Sequence, residues 1–228
     1  MSERRVFVIG GPGVRALSRA EGAAGGQVIE GHGAVFNTPA VIAGLFEEVI
    51  APGAFTRAIQ EDDCRGLFNH DPNWIMGRKS AGTLRLSEDA IGLAYSITLP
   101  ATGHGDHVGQ AVTRGDVSGS SFSFDVLPDG ERWDWPTAAG MLPRRTLLSV
   151  KLWDVGPVTF PAYVEADVTA AARGVLLQAE ARAGRQAGGG SAVEVLEAAE
   201  AARGDLAGTI DRRRRFMRAA LERLTVGR

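Results

Sequence analysis

Between Gln27 and Phe160 the chain is a succession of short apolar runs, each stopped by a turn sequence. That rhythm points to a β-barrel or a strongly curved sheet with helices outside it. Asn37-Thr38-Pro39, Asp71-Pro72-Asn73, Ser87-Glu88-Asp89 and Pro128-Asp129-Gly130-Glu131 are turn-forming combinations. Among the runs between them, 28–36, 48–50, 66–70, 74–77, 83–86, 92–99 and 117–127 read as strands, with 83–86 and 92–99 joined as a hairpin. Arg132–Trp135 is expected to fold back on 117–127 as a second arm. Arg145–Trp153 reads as one more strand, and Val158-Thr159-Phe160 follows after Gly156-Pro157. Two helices are expected: Ala54–Glu61, with Phe55, Ala58 and Ile59 on one face, and a segment capped by Asp106 that runs to about Arg114.

The flanks differ in texture. Residues 1–26 are rich in Gly, Ala and Arg, with Arg5–Gly10 as a short strand. A folded domain is expected over 27–169, an Ala/Gly/Arg-rich linker over 170–190, and a helical C-terminal segment over 191–228. Ser191 with Glu194 matches a capping box. Ile210, Phe216, Met217, Ala220, Leu221 and Leu224 make an apolar stripe that packs on the domain or docks a partner in a groove. Arg212–Arg215 reads as a solvated helix face.

Charge and cysteine content exclude some functions. The formal net charge of −2 lacks the basic excess of a nucleic-acid binder. The single cysteine, Cys64, cannot form an internal disulfide, which fits a reducing compartment, and nothing near it resembles a cysteine-protease signature. No apolar run approaches the ~18 residues that span a bilayer. The N-terminal apolar stretch is too short for a secretory signal, so the chain is expected in the cytoplasm of the cell that makes it.

Four histidines are available: His32, His70, His104 and His107. His70 ends an apolar strand just before a turn, where the strand fixes the ring and the turn leaves a side open to substrate; imidazole there suits a general base. A polar strand-end residue is the plainer alternative. His104 and His107 flank Asp106, but the chain lacks the ligands of a common closed zinc site, so a flexible loop leading to a helix cap is preferred and no metal is expected. The segment from Asp116 to Phe124 carries four serines on a strand pattern. Alternation places Ser121 and Ser123 on one face and Ser118 and Ser120 on the other, with Phe122 and Phe124. A serine facing a cleft beside a histidine is a candidate nucleophile. Asp154 is an acid in an apolar setting and needs a partner, either a histidine to orient or an arginine.

Taken in order, Asn69-His70-Asp71-Pro72, Gly77-Arg78, Gly82-Thr83-Leu84, the run from Arg114 to Phe124, and the run from Asp154 to Tyr163 resemble the prohead proteases of tailed phages. Gly33–Asn37 and Glu48–Phe55 match as well, so the resemblance covers roughly residues 27–165. That family is similar in fold to the herpesvirus maturation protease assemblin. The resemblance implies an α+β, mainly β fold: a small barrel with surrounding helices. It also implies His70 as base, Ser121 as nucleophile and Asp154 as third member, without a cofactor. Two positions depart from the pattern: the family often has Glu at the place of Asp154, and often glycine at the place of Ser123. Ser123 stays a second hydroxyl on the nucleophile's face, Ser118 a supporting hydrogen-bonding residue, and the oxyanion donors are unassigned.

The expected substrates are scaffold protein or the major capsid protein precursor, cut inside the prohead, and the chain itself, cut within 170–190. Control by homodimerisation is expected of assemblin-like enzymes. The chief alternative is an assembly factor that keeps the barrel without catalysis; a small-ester hydrolase and a metal enzyme rank below it.

Overall fold

The computed structural model describes residues 3–7, 14–17, 26–136, 141–160 and 174–179. It contains, in chain order, β1 (Glu3–Phe7), β2 (Arg15–Leu17), β3 (Val28–Val35), β4 (Ala40–Ile42), β5 (Phe46–Ile50), α1 (Thr56–Glu61), β6 (Arg65–Leu67), β7 (Ile75–Arg78), β8 (Leu84–Glu88) and β9 (Gly92–Thr98). Then come α2 (Gly103–Arg114), β10 (Gly119–Val126), β11 (Glu131–Asp134), β12 (Arg144–Leu147), β13 (Val150–Val158) and a helical turn, α3, over 174–179. The fold is mainly β, and no helix among the described residues is long and apolar enough to cross a membrane.

The strands form three sheets, ordered β1-β10-β13-β6-β7, β11-β12-β5-β4 and β2-β3-β9-β8. None of these closes on itself, so the expected barrel gives way to open sheets wrapped around a shared core. The cause lies in the pairing of distant segments. β11 turns away from β10 and pairs with β12, which pairs in parallel with β5. The 145–153 run is likewise two strands, β12 and β13, in different sheets, and β13 continues through Gly156-Pro157 to Val158.

β10 is the spine of the core. Phe122 and Phe124 stack at 5.1 Å and are fully buried, and Phe55, at the start of α1, meets Phe122 edge-on at 5.4 Å. Burying each such ring contributes about 2–3 kcal/mol. The opposite face, the hydroxyl side, carries Ser121 and Ser123, while Ser120 shares the face of the two rings.

A second, smaller cluster unites Ile42, Leu45, Phe46 and Leu176, with Trp133 edge-on to Phe46 at 5.0 Å. Leu176 belongs to α3, so part of the expected linker is helical and packed. Beside this cluster Arg145 bonds Glu48 at 2.9 Å and Glu131 at 2.7 Å, tying three strands by buried charge. The expected C-terminal helix over 191–228 lies outside the described residues.

α2 begins earlier than its predicted cap. Thr102, not Asp106, accepts from the Gly105 amide, and Asp106 sits in the first turn, where a negative charge complements the helix dipole. Gly105 permits this start: a Cβ there would lie 2.0 Å from the Pro100 carbonyl oxygen.

Candidate active site

Two adjacent strands and one turn build the site. β10 and β13 run antiparallel, with Ser121 opposite Gly156 and Ser123 opposite Asp154. The register shifts between Ser123 and Phe124, because Phe124 faces Leu152 and Trp153 is an additional, unpaired residue on β13. This bulge turns Asp154 towards the hydroxyl side of β10. Outside, the Trp153 indole N–H donates to Asp125 Oδ2 at 2.9 Å, and Lys151 Nζ lies over the ring at 4.0 Å.

On its other edge β13 pairs in parallel with β6, placing Asp154 beside Arg65 and Val155 beside Gly66. The strands meet closely at Gly156, where a Cβ would lie 2.1 Å from the Leu67 carbonyl oxygen. β6 then delivers the chain to the turn that carries His70.

That turn is held in an unusual backbone state. Asn69 and His70 both have positive φ, 56° and 57°. Two successive non-glycine residues in this region are costly and persist only where the surroundings hold them. Here the Asn69 amide is the clamp. Its Nδ2 donates to Thr159 Oγ1 at 3.0 Å, and its Oδ1 accepts from the Thr159 N–H at 2.8 Å. The Asn69 backbone N–H donates to the Pro157 carbonyl at 3.1 Å. Beyond His70, Asp71 closes the turn by accepting from the Asn73 N–H and side-chain amide.

The result is a continuous hydrogen-bonded line. His70 Nε2 lies 2.6 Å from Ser121 Oγ, and His70 Nδ1 lies 2.5 Å from Asp154 Oδ1. A carboxylate only accepts, so in the neutral ring Nδ1 carries the proton and Nε2 accepts from the Ser121 hydroxyl. The remaining oxygen, Asp154 Oδ2, takes a short hydrogen bond from Ser123 Oγ. Sequence reasoning placed Ser121 and Ser123 on one face; the structure gives them different partners. Ser120, on the other face, meets the buried Tyr95 hydroxyl at 2.8 Å.

Among the described residues the three side chains are buried, where an opening to solvent was expected. Ser121 is 0% exposed, and the side chains of His70 and Asp154 are 8% and 9% exposed. Ser118 is exposed just before β10; its hydroxyl makes no hydrogen bond among the described residues, and its carbonyl accepts from the Val14 N–H. Cys64 is buried near the site, and burial above all, then the charges of Asp154 and Asp62, pushes its thiol far up, which keeps it inert.

His104 and His107 are not in a loop but in α2, His104 in its first turn and His107 just beyond it. His104 stacks on Trp74 at 4.3 Å, and His107 approaches the same ring at 6.0 Å. No group of three or more potential metal ligands comes together among the described residues. A cavity of about 480 Å³ lined by Arg15, Glu30, His32, Arg85 and Asp89 lies on the β2-β3-β9-β8 sheet, apart from Ser121.

Asn69 and Gly156 had no role assigned from sequence. Asparagine tolerates left-handed backbone, so Asn before His-Asp-Pro was a readable signal for the turn. The close approach at Gly156 had no local signal.

Comparison with known proteins places this geometry in context. The model of a family described as caudovirus prohead serine protease matches residues 15–179. Among solved structures, the bacteriophage T4 capsid assembly protease, gp21, is similar, with 14% identity, a TM-score of 0.41, and coverage of 69% of this chain and 96% of that chain. No curated protein sequence matches this chain.

Proposed function

The chain belongs to the caudovirus prohead serine protease family, and from that premise we propose that Ser121, His70 and Asp154 are its catalytic triad. It is a serine protease of capsid maturation. The observation that carries the triad is the unbroken line from Ser121 Oγ through both ring nitrogens of His70 to Asp154.

In the first half-reaction, His70 Nε2 takes the hydroxyl proton as Ser121 Oγ bonds to the carbonyl carbon of the scissile peptide. The imidazolium then gives that proton to the departing amine as the C–N bond breaks, leaving an ester on Ser121. Water attacks the ester, His70 takes its proton, and collapse of the tetrahedral species returns a proton to Ser121 Oγ. Asp154 holds the Nδ1–H tautomer and stabilises the imidazolium, and Ser123 holds Asp154. Each N–H donor that meets the oxyanion is worth about 3 kcal/mol.

The substrates are scaffold protein or the scaffolding part of the capsid precursor, cut inside the assembled prohead. Cleavage of the chain itself falls within 170–190, away from the turn at 174–179 whose Leu176 is buried.

Co-expression with the head proteins tests the assignment. Ser121→Ala is expected to leave the precursors full-length while His104→Ala, away from the triad, processes them. Normal processing by Ser121→Ala would remove Ser121 from the mechanism.

A further inference from the structure

A protease must bring an extended peptide beside its nucleophile, yet Ser121 is fully buried. Both edges of β10 are occupied as well. One edge of β10 is taken by β13, with Gly156 opposite Ser121. The other edge is taken by β1, antiparallel, with Val6 opposite Ser121 and the pairing running from Glu3 with Phe124 to Phe7 with Ser120. Among the described residues β1 is the outermost strand of its sheet, whereas β13 is sandwiched between β10 and β6. Of the two neighbours, only β1 can leave without dismantling the sheet and moving Asp154 with it.

We propose that the outer edge of β10 is the peptide-binding edge of the site, and that β1 occupies it as a removable strand in place of substrate. This rests on the assignment of Ser121 as nucleophile. The partner is an extended peptide that adds to β10 antiparallel through backbone hydrogen bonds. Strand addition also fits a protease with several different substrates, because the ladder reads main chain, and side chains only set preference. Departure of β1 leaves β10 with an open edge of unpaired backbone groups. The closed form therefore protects the chain both from premature cleavage and from edge pairing.

The test is the rate at which a fluorophosphonate labels Ser121, read by peptide mass spectrometry. Four proteins are compared: the full chain, a chain lacking residues 1–10, and full chains carrying Arg5→Pro or Val6→Pro. Alternate residues of an edge strand donate to the neighbouring strand, so one of the two prolines removes a ladder bond while the other is milder. Labelling is expected to rise at least tenfold in the truncated chain and in one proline variant. A synthetic peptide of residues 1–10 is expected to slow the truncated chain again. Equal labelling in all four proteins would overturn the proposal and leave Ser121 as nucleophile. No labelling of Ser121 in any of them would bring down the catalytic assignment, and this proposal with it. If the truncated chain does not fold, the proline variants decide.

Discussion

Ser123 stands directly across the β10–β13 ladder from Asp154 and donates a hydrogen bond to Oδ2, while His70 holds Oδ1. The carboxylate is thus fixed at both oxygens. Ser123→Ala would leave a buried oxygen unpaired at a cost of about 1–3 kcal/mol. The expected outcome is a lower Tm and a fall in kcat/KM of about ten- to a hundredfold on a fluorogenic peptide. Unchanged kcat/KM would show that His70 alone orients the acid.

The short acid at position 154 reaches the imidazole because the bulge at Trp153 advances it. Asp154→Glu keeps the charge but adds a methylene to a side chain that is already in contact and 9% exposed. The expected result is at least a tenfold loss of kcat/KM from misplacement. Asp154→Asn is expected to cost about 10⁴-fold, since an amide favours the wrong imidazole tautomer. A Glu variant as active as the parent would argue that the site tolerates either reach.

Asn69 separates backbone strain from clamping. Asn69→Ala loses both the amide and the residue's tolerance of positive φ, and is expected to lower stability by about 1–3 kcal/mol. Asn69→Gly restores the backbone freedom but not the bonds to Thr159. Its stability is expected to recover in part while kcat stays low, because His70 is no longer held. Chemical denaturation and steady-state kinetics on both variants check the split.

Gly156→Ala places a methyl group 2.1 Å from the Leu67 carbonyl oxygen, so β6 and β13 must separate. A destabilisation of about 1–3 kcal/mol or more is expected. Activity is expected to suffer as well, because β6 carries the His70 turn. Thermal unfolding and peptide turnover measure the two effects.

Asp63 offers a pH test away from the site. The Arg78 guanidinium, 2.5 Å from its carboxylate, and the Ser80 N–H hold its carboxyl far below the usual range. A depressed folded-state value stabilises the fold above the unfolded value, about 4, and that stability is lost as pH falls towards the folded value. The Tm difference between the parent and Asp63→Asn is therefore expected at pH 7, to shrink below about pH 4 and to vanish in stronger acid. A difference independent of pH would mean that the pair acts by packing.

Alternation and punctuation carried the sequence reading a long way. The faces of β10, the hairpin of β8 and β9, and the position of α1 followed from local pattern, because each rests on residues close in sequence. The open sheets did not. β12 finds β5 through pairs such as Arg145 with Glu48, 97 residues apart, and β13 finds β6 through Asp154 with Arg65. Such parallel pairings depend on how the whole core packs, so no local run of residues announces them. The same holds for the cap of α2: Asp106 was the stronger capping residue by type, but glycine packing against Pro100 let the helix start at Thr102.

The unpaired residue at Trp153 changes the phase of β13. Before it, buried and half-buried positions alternate along the strand; after it, from Asp154 to Val158, every position is buried. A deletion of one residue there would invert the orientation of everything that follows or drag the strand along its neighbours. Any scheme that grafts this hydroxyl–imidazole–carboxylate set onto another pair of strands must copy that hiccup along with the three side chains.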